Sequence, residues 1–238
     1  MARYGFYLTI ILTLVTLGFA AMMGQPAPVP PGTDFNGYQR PLFALYFATS
    51  LEDLAFLSGE PAAALRQHLM TLQQLDTWFP VAYAGMAMAF FFGLGLRGAK
   101  LAWLGLTLAA LTIGADWAEN EVANRILADL DAGVDPTERL DAMWGHTWIK
   151  WGAIGAYAAV LAGSMALARR RLLAVFPALA AFGIAASWFT QADPAVFNWA
   201  NQLLVPFMLT FPAAAVMYLR ANDESAEGDD ESAGQGEA

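Results

Sequence analysis

Six stretches of the chain are apolar for about the length a helix needs to cross a bilayer: Gly5–Met23, Trp78–Leu96, Leu101–Trp117, Trp148–Ala168, Leu172–Thr190 and Trp199–Leu219. A hydrocarbon core about 30 Å thick takes roughly 20 mostly apolar residues per helix. The pattern predicts an all-α fold, a polytopic helical membrane bundle with six transmembrane helices. Arg3 ahead of the first run and Gly18-Phe19-Ala20 near its end loosely suit a signal peptide. The run itself is 19 residues long, more than the roughly 7–15 of a signal sequence, so it reads as an uncleaved anchor.

Basic residues orient the spans. With the N-terminus inside, Arg3, Arg97, Lys100, Arg169, Arg170, Arg171 and Arg220 fall on short inner connections. Arg40, Arg66, Arg125, Arg139 and Lys150 are spread over two long outer loops. Both termini are therefore expected in the cytoplasm, and the protein is expected as a multi-pass component of a bacterial cytoplasmic (inner) membrane. Trp78, Trp117, Trp144, Trp148, Trp151, Trp188 and Trp199 fall at the outer ends, the headgroup depth that amphipathic rings favour.

The intervals between spans carry their own signals. Outer loop 24–77 opens with the Pro-rich stretch Gln25–Gly32, which reads as extended chain. Pro41–Leu57 is apolar but holds Glu52 and Asp53, which predicts an interfacial helix on the outer leaflet. Ser58-Gly-Glu-Pro61 offers a cap for a helix with Leu65, Leu69, Leu72 and Leu75 on one side. Helix three is expected to run on through Leu130, with Glu121 and Arg125 spaced to pair, and to stop at Asp131-Ala-Gly133. Asp135-Pro136-Thr137-Glu138 then caps helix four well outside the bilayer, so helices three and four should be antiparallel neighbours. Small residues recur at Gly85/Ala89/Gly93 and Gly155/Ala159/Gly163, rows that let helices approach closely within the bundle. Asp193-Pro194 caps helix six, in which Pro206 and Pro212 predict a kink or unwound turn.

Composition sharpens this picture. Residues are 58% apolar and 14% charged, against roughly 25% charged in a soluble domain. A disordered chain and a basic nucleic-acid binder are excluded. The absence of cysteine excludes disulfides and thiolate sites. Net charge is −9, but the stretch from Ala221 holds seven acids and no base, leaving twelve bases against fourteen acids in residues 1–220. The chain divides into a transmembrane bundle, 1–220, and an acidic tail, 221–238, expected to be disordered.

The candidate chemistry lies in polar residues at membrane depth, where a charge at the bilayer centre costs about 2.5–3.5 kcal/mol on insertion scales. Asp116, Glu119 and Asn120 are spaced to share one face of helix three. His146, Thr147 and Lys150 have related spacing on helix four. An ion pair between Lys150 and Asp116 or Glu119 is the cheapest way to hold these groups there, and the carboxylate left over must be hydrogen-bonded, protonated or bathed in water. Asp76 and Tyr83, seven apart, are expected on one face of helix two, and Asn198, Asn201 and Gln202 open helix six. If the bundle closes, these groups meet in one outward-opening pocket that His68 could cover. Two histidines without HExxH or Glu-x-x-His spacing offer no metal site, and no cofactor motif is present.

Asp76-Thr-Trp-Phe79-Pro80-Val-Ala-Tyr83, Asp116-Trp-Ala-Glu119-Asn120 and Thr147-Trp-Ile-Lys150-Trp151 resemble a pattern in uncharacterised bacterial integral membrane proteins: D-x-x-F-P-x-x-Y, D-x-x-E-N and T-x-x-K-W on successive spans. The likeness covers roughly Gln67–Gly163. It implies an architecture of about four spans and a shared polar cluster, and no reaction.

Three functions follow as expectations. The first is a pocket binding a small or lipid-like ligand among membrane lipids, with no nucleic-acid partner. The second is an intramembrane enzyme on lipid or isoprenoid head groups, with Asp116 or Glu119 as general base and Lys150 or His146 stabilising an anion. The third is a proton-coupled carrier using the spare carboxylate.

Overall fold

The computed structural model describes residues 1–29 and 32–234, with side chains described as far as Ala221. Helices α1 (Ala2–Met23), α2 (Pro41–Tyr46), α3 (Ala63–Asp76), α4 (Phe79–Gly95), α5 (Leu101–Asp131), α6 (Leu140–Leu167), α7 (Arg171–Phe189), α8 (Pro194–Gln202) and α9 (Leu204–Gly234) follow in order, and no strand occurs among the described residues. Six helical units are long and apolar enough to cross a membrane: Ala2–Met23, Glu60–Gly95, Leu101–Asp131, Thr137–Leu167, Arg171–Phe189 and Pro194–Ala221. The protein is a six-helix membrane bundle.

Neighbours in sequence are neighbours in space from α4 to α7. The ring closes because α1 packs on α4 while α9 touches α7, α4 and α1. One end of the bundle, the loop end, carries residues 24–29 and 32–62 and the α5–α6 turn. The opposite, terminal end carries the start of α1 and the tight α4–α5 and α6–α7 turns.

Small-residue rows act within the chain, as expected. A Cβ on Gly5 would stand 2.7 Å from the Ala89 carbonyl oxygen and 3.1 Å from Gly93, so α1 and α4 touch backbone to backbone. Gly155 takes the Ile184 side chain of α7 in the same way.

Helix punctuation agrees in most places. Gly133 adopts φ +71° and its amide donates to the Leu130 carbonyl, ending α5. Asp135 Oδ1 accepts from the Thr137 amide at 2.9 Å ahead of a single 3-10 turn, Thr137–Arg139, that leads into α6. The Glu121–Arg125 pair forms at 2.7 Å on the exposed face of α5. Asp193 Oδ1 caps α8 through the Ala195 and Val196 amides. The sixth unit is interrupted at Leu203, between α8 and α9, three residues before Pro206, whose missing N–H frees that turn.

Four expectations are corrected. Ser58 caps nothing; its hydroxyl donates to Leu54 O, and Gly59 at φ +72° starts the turn instead. Asp76 and Tyr83 do not share one helix, because the chain turns at Thr77 and Trp78 between α3 and α4. Trp148 and Trp151 do not join an interfacial belt. Both are buried, Trp148 against Phe47 and Trp188, and Trp151 against Phe197. Finally, Pro41–Leu57 is not a helix lying on the leaflet: it breaks into α2 and a 3-10 turn, Glu52–Leu57, and Ala44 to Ala48 are buried against the bundle. A segment apolar on every side gains nothing from a half-wet surface, so it goes inside.

The acidic tail enters as a continuation of α9 to Gly234. The disorder expected of 221–238 falls on a stretch whose side chains from Asn222 on, and whose residues 235–238, lie outside those described, as Pro30 and Pro31 do in the Pro-rich stretch.

Arg66 fastens the loop end. Its Nη2 meets Asp131 Oδ1 at 2.9 Å, and Nη1 donates to the Leu57 and Gly59 carbonyls at 2.9 Å. One guanidinium thus ties α3, the segment before it and the end of α5 together.

Candidate functional site

Toward the loop end, α2, α3, α4, α5 and α6 bring polar groups to one buried place. Asp116, Glu119 and Asn120 share a face of α5, and Lys150 and Thr147 face them from α6, since i, i+3 and i, i+4 positions stack on a helix. Glu119 and Thr147 are 0% exposed, and Lys150 only 6%.

Lys150 Nζ bonds Glu119 Oε2 directly and lies 3.6 Å from Asp116 Oδ1. The expected ion pair is therefore double. From α4, Tyr83 donates its hydroxyl to Asp116 Oδ2 at 2.5 Å. From the end of α3, Asp76 presents Oδ2 to the Tyr46 hydroxyl at 3.2 Å, while its backbone carbonyl accepts from Asn120 Nδ2 at 3.2 Å.

Tyr46 is one of two cluster residues that the sequence reading missed. Its oxygen lies 3.2 Å from Asp76 Oδ2 and 3.3 Å from Asn120 Oδ1, and accepts from Gln73 Nε2 at 3.2 Å. A phenol has one proton, so Asp76 and Asn120 compete for it. The ring also carries Lys150 Nζ at 4.6 Å from its centroid, a cation–π contact. Burial, and then Asp76, Glu119 and Asp116, hold this phenol well above its ordinary pKa, so Tyr46 stays neutral and donating. Thr147 donates to the Tyr46 carbonyl at 3.3 Å, which ties α2 to α6.

Gln73, three residues before Asp76, was also missed, although that spacing puts both on one face of α3. No such signal marked Tyr46, whose contacts are 27 or more residues distant in the chain.

Three carboxyl groups, Asp76, Asp116 and Glu119, surround one ammonium. Glu119 Oε1 and Asp116 Oδ1 accept no hydrogen bond, although the latter lies 3.6 Å from Lys150 Nζ. A carboxylate offers about four acceptor sites, so these two buried oxygens keep acceptor capacity that no described hydrogen bond fills.

No family model, curated protein or solved structure matches this chain. Its own geometry carries the site.

Of the ten sequence candidates, Asp76, Tyr83, Asp116, Glu119, Asn120, Thr147 and Lys150 converge. Three do not. Asn198 works elsewhere: its Nδ2 donates to Gly37 O at 2.9 Å and its Oδ1 accepts from the Gln39 amide, clasping the outer loop to α8. His146 and Asn201 are half-buried and make none of the cluster's hydrogen bonds or ion pairs. His68, half-buried on α3, is not the cover of the cluster either; Tyr46 is. Among the described residues no group of His, Asp and Glu has the geometry to hold a metal ion.

The cluster does not open outward in the way the spacing suggested. A hollow of about 540 Å³ does exist at the loop end, lined by Tyr38, Phe47, Asp53, Asp141, Trp144 and Asp193 among others. Between hollow and cluster stands α2. Ala44 and Phe47, three apart on one face, line the hollow, while Tyr46 faces the acids on the other side.

Proposed function

We propose that this protein is a bacterial cytoplasmic-membrane protein that binds a small or lipid-like ligand at the Asp76–Asp116–Glu119–Lys150 cluster, reached from the outer side. The observation that carries this reading is the pair of buried carboxyl oxygens, Asp116 Oδ1 and Glu119 Oε1, that accept no hydrogen bond, the first holding only a 3.6 Å ion pair to Lys150. A cluster serving only as glue would be stabilised by replacing the surplus acid with an apolar side chain. The resemblance of its motifs to those of uncharacterised bacterial membrane proteins supports the same reading, since the polar residues of those motifs, Asp76, Tyr83, Asp116, Glu119, Asn120, Thr147 and Lys150, are the ones that meet here. A lipid head-group enzyme and a proton-coupled carrier use the same carboxylates, and both begin with a ligand bound there.

Native mass spectrometry of the full chain, released from membranes in mild detergent, tests this. The expected result is a bound small molecule or lipid that survives purification and is lost in Asp116→Asn, with the variant still eluting as a folded species. A chain that carries the same adducts with and without Asp116 overturns the reading. Proton flux in proteoliposomes that disappears in Glu119→Gln would move the assignment to the carrier.

A further inference from the structure

We propose that the ligand is a small organic cation bearing N–H donors, a primary ammonium of the ethanolammonium kind, which enters by the outer hollow and takes the place of the Tyr46 phenol among Asp76, Asp116 and Glu119. This rests on the ligand-binding reading above and names its chemistry.

The cluster states half of the requirement. Glu119 Oε1 and Asp116 Oδ1 receive no hydrogen bond, the latter only the 3.6 Å ion pair from Lys150, and both can accept, so the complementary ligand is a donor. Lys150 is committed to Glu119 and Asp116, so no ammonium bonds Asp76, and an arriving cation would give that carboxyl group a counter-ion. An anion or a pure acceptor would add repulsion at a buried site. A cation supplies both the charge and the hydrogens.

The hollow states the other half independently. Three acids, Asp53, Asp141 and Asp193, line it without a single lysine or arginine, beside the rings of Tyr38, Phe47 and Trp144. Acidic walls raise the local concentration of cations, and aromatic faces hold ammonium groups. A vestibule of this kind selects the same ligand class as the cluster behind it.

What separates them is α2. It is six residues long and spans nothing, and Tyr46 is the one cluster member it supplies. The phenol already imitates the ligand: it donates to Asp76 or Asn120. Removing it should expose the site, because a ligand that must displace a resident group binds more weakly by the fraction of time the site is closed.

Thermal unfolding of the full chain in detergent micelles, at constant ionic strength, provides the test. The solutes are ethanolammonium chloride, sodium chloride, sodium glycolate and ethylene glycol. Ethanolammonium should raise the melting temperature beyond sodium chloride, and glycolate and the glycol should not. Tyr46→Ala should lower the half-maximal ethanolammonium concentration at least about threefold, and Asp116→Asn should raise it about tenfold or more, roughly the loss of one charged contact. If Tyr46→Ala does not fold, Tyr46→Phe serves, and an unchanged half-maximal concentration there overturns the displacement. Stabilisation by glycolate or the glycol that vanishes in Asp116→Asn overturns the cation while leaving a ligand site. No solute acting on either the unaltered chain or the Tyr46 variant overturns the proposal, and with retained adducts absent as well the ligand-binding reading falls too.

Discussion

The two halves of the bundle use the same helices and hold together in different ways. At the terminal end, Phe6, Phe90, Phe91, Phe207 and Phe211 are all fully buried. Phe90 meets Phe211 edge to face at 5.5 Å, Phe6 stacks on Tyr218 at 5.3 Å, and Gly5 lets α1 lie against α4. At the loop end the same α4, α5 and α6 present Tyr83, Asp116, Glu119 and Lys150. Lipid tails are as apolar as the side chains they touch, so helices gain nothing in a membrane by hiding apolar surface from them. The terminal half is therefore specified by shape, and the loop half by hydrogen bonds and charge. Shape tolerates small changes in polarity and resists changes in volume. A charged cluster behaves the other way round.

The largest effect expected from this contrast is at Lys150. Lys150→Met leaves three buried carboxylates without the ammonium and should cost about 3–5 kcal/mol, the usual loss on breaking a buried pair, read by chemical denaturation in detergent. Adding Glu119→Leu should return much of it; a single variant as stable as the parent would show that charge does not hold the loop half. At the terminal end, Gly5→Ala should cost about 1–3 kcal/mol as an overpacking change, because its Cβ would meet backbone. Gly114→Ala in α5 has open space around it and should be neutral or stabilising by up to about 1 kcal/mol. Equal effects at the two glycines would undo the claim that shape specifies that half.

Smaller effects belong to the outer rim. Asp193→Ala removes the cap of α8 and should cost about 1 kcal/mol, seen as faster amide exchange at Ala195 and Val196. The smallest is at Asp53. Burial pushes its carboxyl up, but hydrogen bonds from Thr49 and Ser50 outweigh burial and bring it below the usual carboxylate range. A lowered folded value means its support is present above the unfolded value, roughly 3.9, and is lost as pH falls through the folded one. Asp53→Asn should flatten the acid sensitivity of amide exchange at Thr49 and Ser50; an unchanged profile would place the sensitivity elsewhere.

Much of this was legible along the chain because it depends on local spacing. The length of the apolar runs marks the spans, and Asp135 and Asp193 mark helix starts. The positions of Asp116, Glu119, Asn120, Thr147 and Lys150 mark one face on each of two adjoining helices. What failed to show was anything that depends on a segment's burial without a period. Pro41–Leu57 carries no amphipathic stripe, so the pattern could not distinguish a helix on the leaflet from a wedge in the bundle. Asn198 and Asn201 share spacing with the true cluster, yet the break at Leu203 and the clasp on Gly37 place them apart.

The sequence by itself determined that six helices cross a bilayer and that acids and a lysine must lie within them, because hydropathy and helical spacing are properties of neighbours along the chain. Only the tertiary structure decided that Tyr46 closes the cluster, that Trp148 and Trp151 are core, and that the open hollow lies on the far side of α2. Those contacts join residues tens of positions apart. Which distant groups meet is set by how the helices pack, and packing is a three-dimensional competition for space and hydrogen-bond partners.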